Sequence, residues 1–277
     1  MTALAAQTTT LSRSATLASV GVSLPAFTLW WRELVRFYRQ RSRVVGVIAS
    51  PLVFWVVLGS GFGRSFQGGG NQPQHYLDYF YPGTLIMIVL FTSIFTMMSV
   101  IEDRKEGFLL SVMVAPVPRS AIVLGKVLGG TTLSAAQGLI FLVFAPLAGV
   151  QLSWAALPLI VVTVLLVSFA LTALGFAIAW PMDSTSAFHA IINLFLIPLW
   201  LLSGALFPLS SASGWLRVLM RVNPLTYGVE ALRSLLYPNV PTETSLAASM
   251  ATLVLFSLFM FGLAFVVANR RTTKPAA

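Results

Sequence analysis

Long apolar runs separated by charged or glycine-rich segments are the main pattern along the chain. Each run has about 20 residues or more, the length of helix that crosses the hydrocarbon core of a bilayer. The runs lie at residues 44–62, 81–101, 121–149, 155–180, 187–207 and 245–268. The pattern predicts an all-α membrane protein whose residues 44–268 form a domain with six transmembrane helices.

The segment before the first run alternates aromatic and basic residues at helical spacing. Residues 25–43 place Trp31 on an aromatic face and Arg32, Arg36 and Arg39 on a basic face. This favours an interfacial helix on the cytoplasmic side, with its aromatic face toward lipid and its basic face toward anionic headgroups. The same helix also suits contact with a cytoplasmic partner. Residues 1–24 are predicted to be a disordered tail, and residues 269–277 a cytoplasmic tail.

Composition supports a membrane location. Hydrophobic residues make up 57% of the 277 residues and charged residues only 9%, against about 25% charged in ordinary soluble domains. The net charge of +9 comes from basic residues outside the apolar runs, which the positive-inside rule explains better than nucleic-acid binding does. The chain has no cysteine, which excludes disulfides, thiolate metal sites and thiol catalysis.

The distribution of basic residues predicts the orientation. Thirteen of the 17 Lys and Arg residues fall on one side of the six predicted spans and four on the other. Because basic loops stay in the cytoplasm, both termini and the charged break at 102–120 are expected there.

Few residues in the predicted spans suggest chemistry. We find no Asp, Glu, Lys or Arg near the middle of any span, and Lys126 is assigned to the interface. This argues against proton coupling and against an intramembrane protease. Gln137 and Asn193 are expected to form hydrogen bonds between helices rather than to contact substrate. The chain also lacks a phosphate-binding loop of the form G-x-x-x-x-G-K-[ST], so we expect no ATP hydrolysis, bound cofactor or metal.

The break at 102–118 is the most informative segment. It begins with a charged cluster that includes Glu102, Arg104, Lys105 and Glu106. The bend expected at Gly107 is followed by a short apolar stretch. That stretch contains Leu110 and stops at Pro116. Two interpretations fit a short helix of this kind: it rests on the membrane, or it inserts into a groove of another subunit.

Residues 208–243 are neither apolar enough to span nor polar enough for a free loop. Pro224 suits a helix start, and Glu230 and Arg233 are spaced for an i,i+3 ion pair. A re-entrant or interfacial helical hairpin at 208–237 on the outer side is predicted, because irregular backbone at membrane depth must be covered by protein or line a wet cavity.

Two motifs resemble signatures of the ABC-2-type transporter permeases. The first is EDRKEGFLLSVMVAPVPRSAIVLGKVLGG at 102–130, and the second is NPLTYGVEALRSLL from Asn223, which includes Tyr227. Their order and the six-span layout, over residues 25–270, are similar to that family, above all to its bacterial drug-export and nodulation-factor-export branch.

The resemblance implies a role for each segment. Residues 102–118 would be the coupling helix on a separately encoded ATPase, which binds the ATP and Mg. The helix at 26–42 would support that contact, and the hairpin at 208–237 would cap the exit. Two permeases, identical or paralogous, and two ATPases would work together in a bacterial inner membrane and export an amphipathic drug, lipid or glycolipid-like molecule.

Two other functions remain open from the sequence. A secondary transporter or facilitator would work without ATP. An assembly or anchoring protein would have no transport role.

Overall fold

The protein is a bundle of helices in a computed structural model that describes residues 21–39, 41–62, 76–150 and 153–270. Every regular element within these ranges is helical, which confirms the all-α class for the described part of the chain. Most of the two predicted tails, and residues 63–75 of the glycine-rich loop predicted at 63–80, lie outside the described residues. Residues 76–80 of that loop are instead the first turn of a helix, and the helix predicted from residue 25 begins two residues earlier, at Ser23.

Eleven α-helices are present in the described ranges. They are α1 (Ser23–Arg39), α2 (Arg41–Phe62), α3 (Tyr76–Thr96), α4 (Met98–Lys105), α5 (Phe108–Val114), α6 (Arg119–Phe141), α7 (Leu157–Ala179), α8 (Thr185–Trp200), α9 (Gly214–Val222), α10 (Pro224–Leu236) and α11 (Leu246–Asn269). Short 3-10 turns occur at Leu142–Ala148 and Leu209–Ser211, and a π turn at Leu201–Ala205.

Within the described residues, five segments are long and apolar enough to cross a membrane. They are Tyr76–Lys105, Arg119–Ala148, Leu157–Ala179, Thr185–Ala205 and Leu246–Asn269, and they correspond to the second to sixth predicted spans. The predicted first span coincides with α2, a helix of 22 residues that is not among these five. The count of six spans therefore stays a prediction.

The span Tyr76–Lys105 lies at the centre of the bundle. Its side chains Phe80, Leu85, Ile88 and Ile94 are fully buried, because α3 packs against α2, α6 and α7. By contrast, α11 exposes apolar side chains such as Phe259. An apolar outer surface of this kind is stable only where lipid replaces water.

Two short helices occupy the segment 208–237 for which the outer hairpin was predicted, and the re-entrant position of that hairpin stays a prediction. The 3-10 turn at Leu209–Ser211 leads into α9, and α10 follows directly after Asn223. The Asn223 side chain accepts a hydrogen bond from the Leu225 N–H at 3.0 Å, and Pro224 occupies the first turn of α10. Asn223 is therefore a regular N-cap residue. Pro224 is tolerated next to it because an N–H in the first turn would have no intrahelical hydrogen-bond acceptor.

Of the two polar residues expected to join helices, one does so. Thr92 Oγ1 donates to Gln137 Oε1 at 2.6 Å and links α3 to α6, as predicted. Asn193 lies on the exposed side of α8 and makes no hydrogen bond to another helix among the described residues. That prediction is wrong within this chain, because the side of α8 that carries Asn193 faces away from the bundle.

Candidate functional site

A sharp turn separates α4 from α5 at Gly107. Its φ of 76° lies in the left-handed region, which glycine enters without the steric cost of a Cβ. The Glu106 N–H donates to the Glu102 carbonyl at 2.9 Å, and the Gly107 N–H to the Arg104 carbonyl at 3.2 Å. The bend expected at Gly107 is confirmed.

The predicted segment 102–118 is two elements rather than one helix. Residues 102–105 are the last turn of α4, which prolongs the second span beyond its predicted end at 101. The helix continues because its charged residues find partners on neighbouring helices. The separate helix α5 then ends at Val114, and an extended stretch that includes Pro116 leads to α6.

One face of α5 is exposed in the part of the chain that the structure describes. Leu110 is 56% exposed and Val114 is 88% exposed, whereas Leu109 is buried against the core. Lys105 and Glu106 at the adjacent turn are also exposed. The turn and the outer face of α5 thus form a projecting surface that combines charged and apolar side chains; we call it the α4–α5 knob (residues 105–114).

Behind the α4–α5 knob, Asp103 lies at the centre of an ion network. Its side chain is fully buried and accepts two hydrogen bonds from Arg32, both at 2.8 Å, and one from Arg36 at 2.7 Å. Arg36 also reaches Glu102 at 2.6 Å. Bidentate contacts of this kind are the strong form of ion pair, and they fix α1 to the end of α4.

The same carboxylate binds Lys126 from α6. The Lys126 ammonium is 1% exposed and donates to Asp103, to Glu33 Oε1 at 2.6 Å and to Ser99 at 3.1 Å. All three donor positions of the ammonium are therefore used, as burial of a charge requires. The assignment of Lys126 to the interface stays a prediction, but carboxylates from α1 and α4 enclose its ammonium group within the bundle.

Small residues of α6 allow this close approach. A Cβ added at Gly125 would lie 2.6 Å from the Leu29 Cβ and 2.8 Å from the Ala26 carbonyl oxygen, and one at Gly129 would lie 2.8 Å from the Glu33 Cβ. Glycines four residues apart let two backbones touch. The pair therefore brings Glu33 within reach of Lys126.

Two further arginines connect this end of the bundle. Arg104 donates to the Trp180 and Met182 carbonyls and pairs with Asp183 at 3.2 Å, beyond the end of α7. Arg119 donates to the Ala268 carbonyl of α11 at 3.0 Å. The segments on both sides of the α4–α5 knob are thus joined by polar contacts to the end of α7 and to α11.

The interfacial helix differs in part from its predicted orientation. Trp31 and Arg39 are exposed, as an interfacial helix requires. Arg32 and Arg36 instead turn toward α4, so the expected contact of these two with headgroups is corrected: the buried Asp103 attracts them. Burial lowers the pKa of Arg32, but the hydrogen bonds and charge of Asp103 more than offset this and raise it above its ordinary value.

Helix α1 also touches the α4–α5 knob directly. The Arg32 guanidinium lies 3.7 Å from the centre of the Phe108 ring, a cation–π contact that joins α1 to the first residue of α5. Between α1 and the turn lies an open cleft of about 590 Å³. It is lined by Thr28, Trp31, Arg32, Val35, Arg36, Arg39 and Glu106.

At the opposite end, the predicted residues of the outer hairpin come together in part. The Glu230–Arg233 ion pair is present at 2.7 Å and is buried, which confirms the predicted i,i+3 pair. The Tyr227 hydroxyl instead donates to the Arg221 carbonyl at 2.8 Å. Nearby, burial raises the pKa of Tyr237, whose hydroxyl donates to the Ala148 carbonyl.

The sequence prediction missed three buried charges: Glu33, Asp103 and Lys126. Glu33 lies within the basic helix and Lys126 two turns inside an apolar run, so neither stands out by composition. The spacing of Gly125 and Gly129 was a usable signal, because small residues four apart indicate a close helix contact. A lone Lys beside such a contact then requires an acidic partner.

Comparison with known proteins shows which family has this arrangement. The sequence model of the ABC-2 type transporter family matches residues 26–237, from α1 through the outer hairpin. Among similar proteins, the transport permease ycf38 of Cyanophora paradoxa is 28% identical over 211 residues, which cover 76% of this chain and 73% of that one. The ycf38 permease of Porphyra purpurea is 26% identical over 73% and 70% of the two chains.

A third relative has a more specific name. The daunorubicin resistance ABC transporter permease protein DrrB1 of Streptomyces coeruleorubidus is 23% identical over 75% of this chain and 73% of its own length. The family match covers far more than half of the chain and includes both segments on which the resemblance was based. The chain is a transport permease and belongs to the ABC-2 type transporter family.

Proposed function

We propose that this chain is the membrane subunit of an ATP-driven exporter, that a separate ATPase binds it at the α4–α5 knob, and that the knob faces the cytoplasm. The observation that carries the proposal is the form of the knob. It projects an exposed apolar and charged surface, and short ion pairs of Glu102 and Asp103, just before it, fix the end of α4 to α1 and α6. Such a surface suits a partner that must push or pull on the spans.

The proposed direction of transport is outward, and the proposed substrate is amphipathic. The name of DrrB1 associates that relative with resistance to daunorubicin, an activity that export of the drug would explain. The mostly apolar spans of the present chain suit a drug, a lipid or a glycolipid-like molecule in the same way. We propose a bacterial inner membrane as the location, with both termini in the cytoplasm and a second permease copy or a paralogue completing the complex.

Reconstitution tests the proposed energy source. The chain is placed in liposomes with or without an ABC ATPase subunit from the same genome, and uptake of a fluorescent amphipathic dye is followed in inside-out vesicles. We expect ATP-dependent uptake only with both subunits. Uptake driven by an ion gradient with this chain alone would instead support a secondary transporter, the function that the sequence left open.

Replacement of Gly107 is expected to weaken coupling without blocking assembly. A left-handed conformation costs a residue with a Cβ about 1–2 kcal/mol, less for asparagine. No atom lies within 4 Å of the added Cβ, so the effect comes from the backbone alone. The amount of dye transported per ATP hydrolysed should be highest in the natural protein, lower in Gly107→Asn and lowest in Gly107→Ala.

Gly214→Ala is the matched control, because Gly214 also starts a short helix with nothing within 4 Å and has no positive φ. It should transport as the unchanged protein does. Full coupling in Gly107→Ala would contradict the assignment of this turn to the ATPase contact.

A further inference from the structure

The helix of the span Thr185–Ala205 is interrupted before the C-terminal end of the span. Helix α8 passes at Trp200 into the π turn Leu201–Ala205, and Gly204 adopts a left-handed conformation with a φ of 76°. π turns inside longer helices are frequent at functional sites. A break of this kind leaves carbonyl groups without intrahelical donors, and at membrane depth each must find another partner.

Side chains from two neighbouring helices supply those partners. From α3, the Tyr76 hydroxyl donates to the Leu206 carbonyl at 3.2 Å and the Tyr79 hydroxyl to the Gly204 carbonyl at 2.9 Å. From the hairpin, Asn223 donates to the Leu199 carbonyl at 2.6 Å, Thr226 to the Leu202 carbonyl at 3.4 Å, and Arg233 to the Gly204 carbonyl at 3.1 Å. The break is therefore held by exchangeable hydrogen bonds from outside the span. An intact helix would have satisfied the same carbonyls with its own N–H groups.

Two of these donors share one acceptor. The Tyr79 hydroxyl lies 2.9 Å from the Gly204 carbonyl oxygen and Arg233 Nη2 lies 3.1 Å from it. The Arg233 guanidinium also lies 4.3 Å from the centre of the Tyr79 ring. Glu230 neutralises Arg233 and accepts from the Glu243 N–H at 3.0 Å. The Gly204 carbonyl is thus the point where α3, α8 and the hairpin meet.

The backbone of the break is pressed against α3. A Cβ at Gly83 would lie 2.4 Å from the Ala205 Cβ, and Trp200 Nε1 donates to the Gly83 carbonyl at 2.9 Å. Before the break, α8 is helical from Thr185 to Trp200, with Pro198 in its last turn. Because Gly204 is where the helical geometry ends, a swing of the segment beyond it pivots at Leu201–Ala205 and has to release the Gly204 carbonyl.

We propose that Leu201–Ala205 is the hinge of an outer gate and that Arg233 and Tyr79 are the latch that holds it closed. When both donors leave the Gly204 carbonyl, the segment beyond it moves away from α3 together with α9 and α10, and the outer end of the bundle opens. Arg233 acts as a positioning residue, since it sets the backbone of the span. The proposal needs only that the chain is a permease and does not depend on the ATPase or on the direction of transport.

Spin-label distances test the hinge in the complete chain. The protein has no natural cysteine, so labels attach only at the introduced Leu147→Cys and Val222→Cys. Both positions are exposed at the outer end, one after α6 and one at the end of α9. Tyr79→Phe keeps the ring but removes the hydroxyl donor, and Arg233→Gln removes the charge.

In the latch variants, we expect a second, broader peak to appear in the distribution of distances between the two spin labels. Loss of one hydrogen bond should raise the open population about fivefold in Tyr79→Phe, with a larger rise in Arg233→Gln. Liposomes containing either variant should release trapped carboxyfluorescein several times faster without ATP. A purely structural role would lower the melting temperature without changing the release rate of the folded protein.

Tyr227→Phe is the matched control. It also removes a tyrosine hydroxyl that donates to a backbone carbonyl of the hairpin, but that carbonyl belongs to Arg221 rather than to the hinge. The distances and the release rate should stay unchanged. If Tyr79→Phe and Arg233→Gln behave like Tyr227→Phe in both measurements, or if Tyr227→Phe opens the protein equally, the latch does not exist.

Discussion

Asp103→Ala is expected to destabilise the protein by about 3–5 kcal/mol, the cost of removing one partner from a buried ion pair. The substitution leaves Lys126 with Glu33 alone among its carboxylate partners and frees three of the donor atoms of Arg32 and Arg36. The melting temperature in detergent, measured by the loss of circular dichroism, should fall more than for any other single carboxylate of this region. Transport should be lost, because α1 no longer fixes the end of α4.

Glu106→Ala is the control for stability. Its carboxylate is 61% exposed and lies 3.8 Å from Arg36, and exposed pairs contribute about 0–1 kcal/mol. A double-mutant cycle adds a sharper test. Because Asp103 and Lys126 share one contact, Lys126→Met should cost less in the Asp103→Ala background than in the natural sequence. Additive losses would show that the two residues do not depend on each other.

Gly125→Val should separate α1 from α6 and destabilise the fold by about 1–3 kcal/mol. The new side chain would meet the Ala26 carbonyl and the Leu29 Cβ, and the backbone of α1 cannot yield without weakening the contact between Lys126 and Glu33. A cysteine introduced at Ala26, which is buried in the natural protein, should react faster with maleimide in the Gly125→Val background.

Gly262→Ala is the control for a glycine that makes no close helix contact. It lies within α11, and no atom is within 4 Å of the added Cβ. Because alanine favours a helix more than glycine does, stability should stay the same or rise. Equal maleimide reactivity in the Gly125→Val and natural backgrounds would mean that α1 is not held by the glycine contact.

The sequence predicted the elements better than their contacts. Apolar runs identify helices because each span must bury its own backbone polar groups, and Pro224 and Gly107 mark a start and a turn by local geometry alone. The ion network could not be predicted, since Lys126 meets Asp103 across 23 residues and Glu33 across 93.

The break in α8 was equally hidden. Its sequence, LLSGALFP, continues the apolar run without an obvious interruption, and its partners are tyrosines and an arginine of distant helices. The predicted ion pair between Arg233 and Glu230 is present, and it could be predicted because the two residues are only three positions apart. Its second role at Gly204, 29 residues away, depends on how α10 packs.

The position of Lys126 also constrains how the chain enters the membrane during synthesis. A lysine in a membrane helix opposes insertion, by about 2.5–3.5 kcal/mol at the centre and less toward the ends, and Lys126 lies two turns from the start of α6. Glu33 and Asp103 both precede Lys126, so their carboxylates have already left the ribosome when α6 emerges. The span Arg119–Ala148 can then enter next to carboxylates that are already outside the ribosome. We expect a chain that has lost both carboxylates to insert this span less efficiently, before any folded bundle exists.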